Sequence, residues 1–437
     1  MGYKQDTIFA PSTAIGGAIA VIRVSGPEAA RVKQVCHRDF TADPGRLMFV
    51  RIMDGEESID DAMAVFFAGP HSYTGEDMVE VNCHGGPQTV QRVLGLMSGL
   101  GFRSAEGGEF TRRAFMNGKM DLSQAEAVMD IVTAEAERSR KLALDQLHGS
   151  VSRAVHDVEE TLLDALSSID AAIDYPEEVE EDVMDSLPKQ LREADAKLRK
   201  LISDGRSGRV LRNGVHVVIL GRPNAGKSSV MNALVGRDRA IVTDIAGTTR
   251  DVLDETVSID GVSVRLFDTA GIRDTNNEVE RIGIDRAMNE IRMADIVLVI
   301  YDTSEPGTGQ DDELERIGEE TGCWILVGNK SDLPAKNIRP GSILISAKTG
   351  AGMEELKAEI LRRVLPAETE NICVTNERHI SAMERAHAAV ESAEQAAELD
   401  CVATDIRTAL HELGSITGSD VDADVIDRIF ERFCVGK

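Results

Sequence analysis

The chain has 437 residues, enough for several domains with cores of their own, so neither disulfide staples nor a structural metal is required for stability. Lys and Arg total 48 against 75 Asp and Glu, a net charge of −27, which excludes nucleic-acid binding driven by bulk charge. The 6 cysteines include no CxxC pair, the N-terminus lacks a signal-peptide apolar core, and no apolar run reaches the ~20 residues of a membrane helix. A soluble cytoplasmic chain with reduced thiols is expected.

In chain order, Ala18–Gly26, Arg46–Ile52, Ala62–Gly69 and Met78–His84 are short apolar runs between turn residues, and they predict strands. Gln88–Leu100 predicts a helix, so residues 1–118 read as a small α+β domain. From Leu122 the period changes. Leu122, Ala125, Met129, Val132 and Ala136 share one helical face, and Gly149 stops that helix. Val151 through Ile173 predicts a second helix, broken by Pro176 and an acidic run read as a solvated turn. Leu187–Ile202 predicts a third. From Val215 strands and helices alternate, with strands at 215–220, 262–267, 296–301, 324–327 and 343–345, the pattern of a doubly wound parallel sheet. After Pro366 the chain turns helical again at 378–399, 406–413 and 425–433. The expected fold is multidomain α/β plus α. An α+β domain (1–118) is followed by a helical bundle in two halves (119–212 and 367–437), with an α/β domain (213–366) inserted between them.

The strongest motif is GRPNAGKSS, Gly221–Ser229, directly after the strand VHVVIL. It matches the phosphate-binding pattern GxxxxGK[ST]. Gly221 and Gly226 let successive N–H groups face phosphate oxygens, and Asn224, Ala225 and Ser229 complete the loop. Lys227 is the candidate for the β- and γ-phosphates, and Ser228 for Mg²⁺. TDIAGTTRD follows and supplies Thr243, Asp244, Ile245, Ala246, Gly247, Thr248 and Thr249, of which Thr249 is the second candidate Mg²⁺ ligand. DTAG (Asp268, Thr269, Ala270, Gly271) ends the strand VSVRLF. NKSD supplies Asn329, Lys330 and Asp332, and a carboxylate at Asp332 matches the N1–H and 2-amino donors of guanine, which adenine lacks. SAK supplies Ser346, Ala347 and Lys348, whose backbone can meet the guanine carbonyl. Five boxes in this order indicate a Ras-like domain that binds GTP with Mg²⁺.

Ras-like enzymes carry a water-orienting Gln directly after DTAG. Ile272 stands there instead, and no arginine finger is evident. Hydrolysis therefore needs a carboxylate from further along, a cation or a second protein. Glu278 and Glu280 lie nearby.

Taken together, the chain resembles the MnmE (TrmE) family of tRNA modification GTPases from end to end. Outside the nucleotide boxes the resemblance rests on Asp6–Gly26, Ser72–Gly86, Gly108–Val128 and the C-terminal Cys434–Lys437 (CVGK). It implies a homodimer formed through the N-terminal domain, which binds a 5-formyl- or methylene-tetrahydrofolate donor at Arg23, Glu80, Lys119 and Lys437. It implies a heterotetramer with an FAD-containing partner, MnmG (GidA), which holds the FAD; the acidic charge of this chain then fits tRNA binding through that partner. The product is an aminomethyl or carboxymethylaminomethyl group on the wobble uridine. It also implies K⁺ bound by Asn224, Thr243, Ile245 and Thr248, with Glu280 orienting the attacking water. Cys434 is a candidate nucleophile in the tRNA reaction. Two departures stand out. The family's Arg-containing N-terminal loop reads APSTAIGG (Ala10–Gly17), and its Pro before GEF is Gly107.

Two other readings remain open on the residues alone. A ribosome-assembly GTPase of the Era kind needs a basic RNA-binding appendage, yet residues 367–437 hold 15 acidic and 6 basic side chains. A self-assembling switch that only moves a partner overlaps with the modification reading.

Overall fold

The computed structural model describes residues 6–236, 254–268, 289–365 and 374–436. The chain divides into two compact units, Met1–Met129 with Gly414–Lys437, and Asp130–Leu413.

In the first unit β1 (Ile8–Pro11), β2 (Ile19–Ser25), β3 (Met48–Asp54), β4 (Glu57–Phe67), β5 (Met78–His84) and β6 (Arg103–Ser104) form one sheet, ordered β3-β4-β5-β2-β1-β6. Its neighbours are antiparallel except β1 with β6. Strand alternation puts Ala20, Ile22, Val24, Val79, Val81 and Cys83 on one face. There they pack with Val90, Val93 and Met97 of α1 (Pro87–Gly99). The other face carries Arg23 directly opposite Glu80. On that side Phe110 of α2 (Glu109–Met116) packs with Ile8 and Ala10.

The C-terminal segment belongs to this unit. Phe430 and Phe433, at and just beyond the end of α11 (Ala423–Phe430), are buried against Leu122 and Ala125 of α3 (Leu122–Thr133). The apolar stripe Ile426, Ile429, Phe430, Phe433 thus anchors the tail as its spacing predicts. Val435 then forms an antiparallel bridge with Gly107.

The second unit holds α4 (Glu137–Leu147), α5 (Ser150–Asp174), α6 (Pro176–Asn213) and α10 (Glu377–Gln395), with α5 and α10 packed along α6. Two sequence expectations are corrected here. The single helix expected from Leu122 to Gly149 is two, because Ala136 adopts extended backbone angles. The break lets Arg138 N donate to Gly261 O at 3.0 Å, and Glu135 accept from Ser263 Oγ at 3.2 Å. The acidic run after Pro176 is helix rather than turn, since α6 starts at Pro176 and runs 38 residues. Proline at the first helical position starts a helix; its missing N–H is an orphan there in any case.

Between α6 and α10 lies a sheet ordered β12-β11-β10-β7-β9-β8: β7 (Val215–Gly221), β8 (Asp254–Ile259), β9 (Val262–Asp268), β10 (Ile296–Asp302), β11 (Trp324–Asn329) and β12 (Ile343–Leu344). It is parallel except for the edge strand β8, which the sequence reading did not include. α7 (Lys227–Val235) and α9 (Met353–Val364) pack on one face, and α8 (Gly309–Glu320) on the other, through Leu314 and Ile317. The doubly wound fold is therefore observed, with the nucleotide motifs at the carboxyl ends of its strands.

Candidate functional site

The phosphate loop joins β7 to α7. Gly226 caps the helix at φ 92°, and a Cβ there would lie 2.3 Å from Asn329 Nδ2, so only glycine fits. Lys227 is buried at the first helical position, and its Nζ donates to Gly221 O (2.7 Å) and Arg222 O (3.0 Å). Burial pushes the Lys227 pKa below the usual lysine range, and Asp268 offsets this in part. Ser228 Oγ donates to Oδ2 of the buried Asp268 at 2.9 Å. A hydroxyl and a carboxylate side by side are an oxygen donor set suited to Mg²⁺. Asn224 and Ser229 are exposed; Asn224 sits at φ 67°.

The residues expected to recognise the base come from two loops. Asn329 Nδ2 donates to Ala225 O at 3.0 Å, and Asn329 Oδ1 accepts from Ala347 N at 3.2 Å. One amide therefore ties the phosphate loop to the SAK loop. Ser346 Oγ donates to Asp332 Oδ1 at 2.7 Å, which leads the contacts holding the Asp332 carboxyl below the usual range. Lys348 lies on the same loop and is exposed. Thr243, Asp244, Ile245, Ala246, Gly247, Thr248, Thr249, Thr269, Ala270, Gly271, Glu280 and Lys437 lie outside the described residues.

Three functional neighbours escaped the sequence reading. Asp302 and Asp311 lie outside the motifs and pair with Lys330 and with Arg222 of the phosphate loop, a motif position the sequence reading passed over. The legible signals were modest: an aspartate closing the strand IVLVIYD, and a capping box of Thr308 with Asp311 at the start of α8.

In the first unit Arg23 Nε and Nη2 both donate to Glu80 Oε1, at 3.0 and 2.8 Å. The guanidinium lies 5.1 Å from the Tyr73 ring centroid and 5.6 Å from that of Phe110. Glu80 Oε2 takes part in neither bond. Lys119 Nζ donates to Pro70 O at 2.8 Å. Arg23 and Glu80 are thus brought together, while Lys119 is held on a separate carbonyl. Nearby, the almost fully buried Arg113 binds Asp6, Glu76 and Glu109, which stiffens this end of the sheet. Cys434 is exposed, and its carbonyl accepts from Gly108 N at 3.3 Å. Gly107 now has a physical reason: a Cβ there would lie 2.7 Å from Phe433 O.

Two family models match the chain. The MnmE helical domain covers residues 122–434, and the GTP-binding protein TrmE N-terminus covers residues 7–119. A tRNA modification GTPase MnmE from Alkaliphilus oremlandii is 40% identical over 461 residues, covering 100% of both chains. The chain belongs to the MnmE family. Proteins of the same name from Clostridioides difficile and Geobacillus thermodenitrificans are 38% and 39% identical, over at least 99% of each chain. Among solved structures, the G domain of the Thermotoga maritima FeoB iron transporter is 28% identical. It covers 34% of this chain and 98% of its own, with a TM-score of 0.27. An Era variant from Aquifex aeolicus bound to GDP and aluminium fluoride is also 28% identical. It covers 40% of this chain and 66% of its own, with a TM-score of 0.29. Among the described residues, no helix is long and apolar enough to cross a membrane.

Proposed function

We propose that this chain is a K⁺-dependent GTPase whose hydrolysis cycle drives modification of the tRNA wobble uridine. What carries the reading is the convergence of Lys227, Ser228, Asp268, Asn329 and Asp332 at the carboxyl ends of β7, β9 and β11. Residues 119–212 and 367–437 act as two halves of one helical domain, with 213–366 as the inserted nucleotide domain. The relatives' names favour modification over ribosome assembly.

In this reading Lys227 exchanges its two carbonyl partners for phosphate oxygens, which relieves its unfavourable burial. Ser228, Asp268 and Thr249 hold Mg²⁺, which supplies charge neutralisation at the phosphates. Asp332 accepts the N1–H and 2-amino donors of guanine, while Asn329 keeps the base loop and the phosphate loop in register. Ile272 cannot orient water, so that task falls to Glu280. Asn224, Thr243, Ile245 and Thr248 hold K⁺ where an arginine finger would otherwise act. The first unit forms the homodimer and binds a tetrahydrofolate one-carbon donor, with Glu80 for the ring and Arg23, Lys119 and Lys437 for its carboxylates. Cys434 is the nucleophile toward the uracil ring or an intermediate. The FAD protein MnmG completes a heterotetramer and presents tRNA, which suits a chain of net charge −27.

The test has two arms. GTP hydrolysis is compared in matched KCl and NaCl for the wild type and Asn224→Ala. Stimulation by K⁺ alone, lost in the variant with nucleotide binding kept, supports the cation site; equal rates in both salts refute it. Wobble nucleosides are then measured in a deletion strain carrying wild type or Cys434→Ser. The variant is expected to keep K⁺-stimulated hydrolysis and lose modification. Full modification by a stable Cys434→Ser protein removes the nucleophile role.

A further inference from the structure

We propose that residues 302–311, joining β10 to α8, are a positioning element for the nucleotide site, acting on the phosphate loop through Asp302 and Asp311. The proposal rests on the GTP reading above but concerns residues outside all five motifs.

The segment reaches the loop on both sides of Pro223, directly at Arg222 and through Lys330 at Asn224. On one side Arg222 Nε donates to Asp311 Oδ1 at 2.8 Å. Asp311 is only 4% exposed, and its second oxygen accepts from Thr308 N and Thr308 Oγ1, both at 2.9 Å. One carboxylate thus caps α8 and holds the loop arginine. On the other side Lys330 Nζ lies 2.6 Å from Asp302 Oδ2 and donates to Asn224 O at 3.0 Å. Asp302 is equally buried, and its Oδ1 accepts from Ser304 N (2.8 Å) and Ser304 Oγ (2.6 Å). Between them, Thr303 N and Thr303 Oγ1 both donate to Asn329 O, at 3.0 and 2.9 Å. A single ten-residue segment therefore holds the phosphate loop directly at Arg222, indirectly at Asn224 through Lys330, and the strand end at Asn329.

Strain explains why a brace is required. Asn224 (φ 67°) and Lys330 (φ 66°) both hold left-handed backbone angles that side chains other than glycine rarely adopt. These two residues are bonded to each other through Lys330 Nζ. Asp302 keeps the lysine in that position by pairing its charge. With a neutral amide at 302, the flexible lysine turns to solvent, and Asn224 O loses its partner. The loop then has no reason to stay in its strained shape before nucleotide arrives.

The contacts so shaped, phosphate cradle and base pocket, are common to GTP and GDP. Losing them weakens the binding of both; once nucleotide is bound its phosphates hold the loop and Asn224 in place, so the hydrolytic step of bound GTP changes little. A general loss of fold does not produce that split.

The test uses the full-length chain. Asp302→Asn, Arg222→Gln, Lys330→Met and the double variant Asp302→Asn/Lys330→Met are compared with wild type. Equilibrium binding of fluorescent GDP and GTP analogues, steady-state hydrolysis and melting of the nucleotide-free protein are the readouts. Asp302→Asn is expected to raise Kd for both nucleotides about 10-fold or more, with kcat within about 3-fold and melting unchanged. The double variant is expected to bind no worse than the weaker single variant, because both act through one contact. Additive losses, or a folded Asp302→Asn that binds as tightly as wild type, overturn the proposal. If Asp302→Asn fails to fold, Arg222→Gln decides. Its charge removal leaves Asp311 bonded to Thr308, and an unchanged Kd there overturns the brace. A wild-type chain that binds neither nucleotide overturns the GTP reading and the brace with it; intact wild-type binding with unaffected variants overturns the brace alone.

Discussion

At the phosphate loop a lysine is kept charged in a place that disfavours charge. Burial lowers the Lys227 pKa, and among the described residues its ammonium donates to two carbonyls, with the Asp268 charge offsetting the burial in part. Lys227→Ala is therefore expected to abolish GTP binding by calorimetry while leaving the nucleotide-free melting temperature equal or higher. Asp332 behaves in the opposite sense. The Ser346 hydroxyl lowers its folded pKa, so the carboxylate stays an acceptor as pH falls and is lost only below the ordinary carboxylate range of about 4. GTP affinity should hold from pH 7 to about 5, as titration across that range will show, and Asp332→Asn should weaken it throughout. These motif residues were legible because phosphate and guanine each demand one chemistry at one spacing. Arg222, Asp302 and Asp311 were not, because their task is set by which loops meet across the sheet. Arg23 and Glu80 fall between: their types were legible, and their direct pairing came only from strand register.

Elements show the same division. The strongly periodic helices and the buried strands of both sheets were legible in their residues. β1 carries Pro11, β6 has two residues and β8 is an edge strand with only Val257 and Ile259 apolar, so each lacked a long enough pattern. The break between α3 and α4 was hidden because Val132 and Ala136 continue the helical spacing; hydrogen bonds to the β8–β9 turn override it. Beyond the apolar anchor at Phe430 and Phe433, the C-terminal tail is also held by backbone fit. Gly436 has φ 96°, and a Cβ there would sit 2.2 Å from Pro11 O. Gly436→Ala is expected to undock the tail. Carboxypeptidase should trim it faster, and wobble modification should fall, while K⁺-stimulated hydrolysis stays within about 2-fold because the nucleotide loops are untouched.

Over the whole molecule, the interruption of a helical domain by a nucleotide domain was legible as a change of texture: helices, then alternation, then helices. What composition could not reveal is that residues 414–437 complete the unit begun by residues 1–129. That closure depends on contacts between residues some 300 positions apart, such as Leu122 with Phe430. It makes the order of synthesis a physical variable. Residue 414 follows residue 129 by 285 positions, which at cellular rates is about 15–60 s. Throughout that interval the first sheet exists while Phe115, Leu122 and Ala125 have nothing to cover them. A ribosome-bound chain stalled with residue 400 exposed should be cut by protease near residues 115–129; one stalled after residue 437 has cleared the exit tunnel should resist. The growing chain must therefore keep an apolar surface out of trouble for most of its own translation, and the domain made first becomes native last.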